Sequence, residues 1–142
     1  MKKLLFSVSP LSTPASLSTL VLRLVFGLFM LIGHGWRKLI GFSDIAEGFM
    51  DFMGLGSTVS LGLAVFAEVV CAALVALGLF TRAALIPLII TMGVAAFIRH
   101  GPDPLFMGSG PSKEPALLFM GAFLAIFLAG PGKFSLDAMI RK

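Results

Sequence analysis

The residues of this chain able to do chemistry are few, and they sit inside or beside long apolar runs. His34 lies between Gly33 and Gly35 and four residues before Lys38, with Arg37 next to Lys38. Glycines let a backbone or a ring approach closely, so a neutral imidazole at this place could donate to a ligand carbonyl or relay a proton. An interfacial histidine satisfied by water is the plainer alternative. His100 and Glu114 flank a Gly- and Pro-rich stretch and are expected to meet His34, Arg37 and Lys38 at one end of the molecule. Glu114 also suits the first turn of a helix, where the dipole favours a carboxylate. The spacing shows neither His-x-x-x-His nor Glu-x-x-His, so no metal site is expected.

Arg23 and Glu68 each interrupt an apolar run. A charge within such a run costs roughly 2.5–3.5 kcal/mol unless it is paired or hydrated. At 100° per residue, Arg23, Gly27, Met30, His34 and Lys38 share one helical face, which should point inward. At 1.5 Å per residue, Glu68 lies about 16 Å from one start of its run and Arg23 about 9 Å from the opposite start of its own. The two levels are close enough for an Arg23–Glu68 ion pair, in which the guanidinium keeps the carboxylate ionised. Such a pair either pins helix packing or serves function.

The elements that must hold these groups are legible from hydropathy. The chain has 142 residues, 58% of them hydrophobic and only 13% charged, with a mean hydropathy of +1.03. That is well above the roughly 45–50% apolar content of soluble domains. The pattern predicts an all-α, four-transmembrane-helix bundle, with spans at about 17–40, 56–80, 83–98 and 113–130. Residues 1–16 read as a cytoplasmic tail, 17–132 as the membrane domain and 133–142 as a C-terminal tail. Between the first two spans, residues 42–53 place Ile45, Phe49, Phe52 and Met53 on one face and Asp44, Glu47 and Asp51 on another, predicting a short amphipathic interfacial helix. Thr81 and Arg82 form the hairpin turn between the second and third spans, and Pro87 falls in the third span's first turns.

Lys2, Lys3, Arg82, Lys133, Arg141 and Lys142 flank one side of the spans, against Arg37, Lys38, Arg99 and Lys113 on the other, which favours both termini in the cytoplasm. The net charge of +4 forms no continuous basic stripe, so nucleic acid is not an expected partner. Cys71 is the one cysteine, which excludes an intramolecular disulfide or a Cys-x-x-Cys redox pair.

Arg23-Leu24-Val25-Phe26-Gly27 followed by His34-Gly35-Trp36-Arg37-Lys38-Leu39 resembles the first-helix signature of the DoxX family of bacterial membrane proteins. The resemblance continues through Glu68, Leu77-Gly78-Leu79-Phe80-Thr81-Arg82, Glu114, Gly130-Pro131-Gly132 and Ser135-Leu136-Asp137. It implies a four-helix protein of the bacterial inner membrane. It also tilts towards redox chemistry, since the family is named for a subunit linked to quinone-dependent oxidation of sulfur compounds and some relatives are linked to oxidative stress.

Three functions follow as expectations. The first is a subunit of a quinone-linked or oxidative-stress-related redox system that binds a small lipophilic ligand near His34, Lys38 and Glu114. It has no intrinsic cofactor, quinone as its bound ligand, and electrons supplied by a soluble or membrane oxidoreductase. The second is a non-catalytic anchor that recruits such an oxidoreductase. The third is a small-molecule carrier working as a homo-oligomer in the bilayer.

Overall fold

The computed structural model describes residues 11–140, so the expected tails lie partly outside the described residues, as do Lys2, Lys3, Arg141 and Lys142. The described residues are helical, without strands.

Helix α1 spans Thr13–Ile40. It starts four residues before the expected 17, because Ser12 caps it through a bond from the Ala15 amide and Pro14 sits in its first turn, where no donor is lost. Gly41 ends it, and the short α2, Phe42–Ala46, follows. The amphipathic helix expected over 42–53 stops there. Local polar bonds replace its continuation, since the Phe52 amide donates to Ser60 Oγ at 2.9 Å and the Gly56 amide to Asp51 Oδ1 at 2.9 Å. Met53, Gly54 and Gly56 all have positive φ, which no helix accommodates.

Helix α3, Ser57–Leu77, ends at Gly78, whose φ of 73° sits in the left-handed region. The Leu79 amide bonds to Leu74 O and the Gly78 amide to Val75 O, the pattern of a Schellman stop. Gly78 to Phe80 therefore makes the hairpin turn. Arg82 is not in that turn but in the first turn of α4, Thr81–Arg99, and Pro87 falls inside α4 rather than at its start. Helix α5 covers Glu114–Ala129 and α6 covers Leu136–Ile140.

The four long helices pack in a ring: α1 on α3, α3 on α4, α4 on α5, and α5 back on α1. Their core is centred on Met30, Cys71, Val75, Leu85, Leu88 and Phe123, all nearly or fully buried. Small residues bring α1 and α3 together. A methyl group added at Gly27 would stand 3.1 Å from Ala72 O, and one at Gly35 only 2.5 Å from Glu68 O. Outside the ring, Phe29, Ile32, Phe97 and Leu128 are exposed apolar side chains, a surface suited to lipid. Three helices, α1, α3 and α4, are long and apolar enough to cross a membrane. The apolar α5 has 16 residues and reaches about 24 Å.

Candidate functional site: a polar-edged cavity at three wide helical turns

Three of the long helices open locally from α to π geometry, at Phe29–Gly35 in α1, Phe66–Cys71 in α3 and Ala95–Arg99 in α4. A π turn adds a residue to the turn, breaks the regular ladder, and often marks a functional site. All three segments contribute to one cavity of ≈ 660 Å³, through His34, Glu68 and Arg99 among others.

Glu68 is 4% exposed at its side chain and accepts from Lys38 Nζ through both oxygens, at 2.7 Å and 2.6 Å. This ion pair joins the last turns of α1 to the π segment of α3. Gly35 makes it possible, because any larger residue would hold the two backbones apart. His34, one turn before Lys38, is exposed, lines the cavity and meets the Phe119 ring edge-to-face at 5.4 Å. Two of the three Lys38 ammonium protons are taken by Glu68, so the third remains for a ligand acceptor.

The expected Arg23–Glu68 pair does not form. Arg23 is 1% exposed and donates to Pro131 O at 2.8 Å and Phe134 O at 2.7 Å, carbonyls of the segment after α5. It stands about 22 Å along α1 from Lys38. Arg82 is likewise buried and donates to Phe127 O and Leu128 O at the end of α5, where helix carbonyls lack partners. Asp137 completes this fastening. Its carboxylate accepts from the Phe80 and Thr81 amides and the Thr81 hydroxyl at 2.8–2.9 Å, capping α4 from a distant part of the chain. The motifs at the hairpin, at Gly130-Pro131-Gly132 and at Ser135-Leu136-Asp137 thus meet in one structural knot away from the cavity.

Of the remaining site residues, His100 lines the cavity and bonds through Nδ1 to Asp103 Oδ2 at 2.6 Å. Arg37 is exposed and borders a separate cavity of ≈ 300 Å³ together with His34 and Lys38. Glu114 turns to the loop, accepting from the Met107 amide at 2.7 Å, and it is its neighbours Pro115 and Ala116 that reach the main cavity. Sequence reasoning missed Asp103 and Ser112. Asp103 had a signal, its three-residue spacing from His100; Ser112 had none, as its burial depends on how the loop folds back.

An all-helical chain with several membrane-length apolar helices around a polar-edged cavity defines a polytopic membrane protein. The chain belongs to the DoxX family, whose profile it matches over residues 18–101. It is 32% identical over 126 residues to the inner membrane protein YphA of Escherichia coli, covering 83% of this chain and 86% of that protein. It is 29% identical over 136 residues to the uncharacterized membrane protein Rv3486 of Mycobacterium tuberculosis, covering 88% and 82%. An uncharacterized protein of Haemophilus influenzae is 34% identical over 118 residues, covering 82% and 85%. No solved structure matches. The family, the relatives and the apolar helices support a location in the bacterial inner membrane.

Proposed function

We propose that this protein binds a small lipophilic ligand of the quinone type in the cavity, as the membrane subunit of a redox system whose electrons come from a partner oxidoreductase. The observation that carries this reading is the Lys38–Glu68 ion pair set against a largely apolar cavity of ≈ 660 Å³. That size lies within the range of small-molecule sites, which are mostly apolar with a few fixed polar groups. The third ammonium proton of Lys38 and the His34 ring supply donors for a carbonyl, while Met30, Phe66 and Phe119 supply the apolar wall.

In this reading the chain crosses the bilayer four times. Helix α5 is short for a hydrocarbon core of about 30 Å, a mismatch met by local thinning and by its packing on α4 and α1. Both termini face the cytoplasm, which sets the Arg23–Arg82–Asp137 knot inside and the cavity outside. C-terminal reporter fusions active only in the cytoplasm check this orientation.

The test is to purify the protein from native membranes and extract its lipids. Quinone should accompany the wild type in near-stoichiometric amount and be lost from Glu68→Gln and Lys38→Met. Wild-type protein that neither retains quinone nor binds a ten-carbon-tailed benzoquinone in nanodiscs refutes the reading. The exposed loop tip Leu105, Phe106 and Met107 favours a second reading, an anchor that docks an oxidoreductase, for which a co-purifying protein without ligand is the expected result.

A further inference from the structure

Ser112 precedes α5 and lines the main cavity, yet it is only 6% exposed. Its hydroxyl oxygen has no hydrogen-bond partner among the described residues. A buried hydroxyl without a partner costs on the order of 1–3 kcal/mol, and native proteins keep few of them. The hydroxyl can both donate and accept.

His100 faces the same cavity from the end of α4. Its Nδ1 is held by Asp103, which leaves Nε2 as the ring nitrogen open to a second partner. Neither Ser112 nor His100 bonds to Lys38, Glu68 or His34. The cavity lining therefore carries two polar groupings, one on α1 and α3 and the other on the end of α4 and the loop before α5, together with apolar side chains such as Met92 and Phe119.

We infer that Ser112 and His100 form a second oxygen-binding subsite, so that the ligand is a lipophilic molecule with two oxygen functions on opposite sides of an apolar body. One oxygen meets Lys38 and His34. The other meets the Ser112 hydroxyl, with His100 Nε2 accepting from it when it is a hydroxyl or donating to it when the ring is protonated. This rests on the proposed function for the presence of a ligand, and adds that a molecule with one oxygen fills only half of the polar complement.

The probes are a benzoquinone with a ten-carbon tail, labelled with ¹³C at each carbonyl in turn, and the corresponding ten-carbon alkylphenol with a single oxygen. Binding to wild type and Ser112→Ala in nanodiscs is measured by titration, and the carbonyl stretches by infrared difference spectroscopy. The expected result is that both carbonyls of the bound quinone are shifted by hydrogen bonds in the wild type. Ser112→Ala should release one of them and weaken quinone about tenfold, while leaving the phenol's affinity unchanged and the thermal midpoint of the ligand-free protein equal to or above that of the wild type.

Wild type that binds quinone with a single shifted carbonyl overturns the second subsite while leaving the proposed function intact. So does a Ser112→Ala variant with unchanged affinity and bands, the result expected if only water meets the hydroxyl. Wild type that binds no quinone removes the proposed function, and the subsite with it.

Discussion

Replacing Lys38 by Met leaves Glu68, 4% exposed at its side chain, without its cation in the interior. Breaking a buried ion pair from one side costs about 3–5 kcal/mol, because the orphaned charge stays desolvated. Lys38 is 26% exposed at its side chain and part of its charge is already solvated, which lowers the expected loss to or below the bottom of that range, about 2–3 kcal/mol. For a chain of this length that corresponds to a fall of roughly 6–10 °C in the unfolding midpoint. Glu68→Gln alone should cost less, since the freed ammonium can reach water through the cavity. The double variant should recover most of the loss, with a coupling of about 2 kcal/mol. The assay is thermal unfolding in detergent followed by Trp36 fluorescence, run as a double-mutant cycle. A parallel cycle of Arg23→Leu with Glu68→Gln should be additive, because Arg23 donates to Pro131 and Phe134 carbonyls instead. Additive effects of the Lys38 and Glu68 changes, or strong coupling between Arg23 and Glu68, would refute the pairing.

Two further predictions concern the scaffold. Gly35→Ala should destabilise by about 1–3 kcal/mol and disturb ligand retention, because its methyl would press on the Glu68 backbone, whereas Gly33→Ala, with open space around it, should be neutral or up to about 1 kcal/mol stabilising in the same unfolding assay. Asp137→Ala removes the cap that holds the start of α4 and should cost about 1–2 kcal/mol, read as faster amide exchange at Phe80 and Thr81 with little change at the cavity.

The membrane-length helices were legible from the sequence because a bilayer demands uninterrupted apolar runs, and a run of that kind needs no tertiary information to be seen. The same contrast made Arg23 and Glu68 visible as charges needing partners. The local end signals were in the sequence but were read past: Ser12 and Pro14 start α1 ahead of the expected 17, and the glycine at 78 stops α3 short of the expected 80. The identity of the partners was not readable. Counting depth from helix starts assumes that neighbouring helices begin at the same level, but Glu68, about 16 Å into α3, meets Lys38 only about 3 Å from the end of α1. The first turns of α3 therefore extend past α1, an offset set by the Gly35 contact and by the turns over residues 47–56. Likewise the carbonyls that accept from the two terminal nitrogens of Arg23 lie 108 and 111 residues away in sequence, brought there only by closure of the helical ring. Residue types and apolar periodicity thus determined which groups had to be paired inside the membrane. Only the packing of backbone on backbone, at Gly27 and Gly35 and around the π turns, decided that Arg23 fastens the C-terminal segment while Lys38 and Glu68 face the cavity.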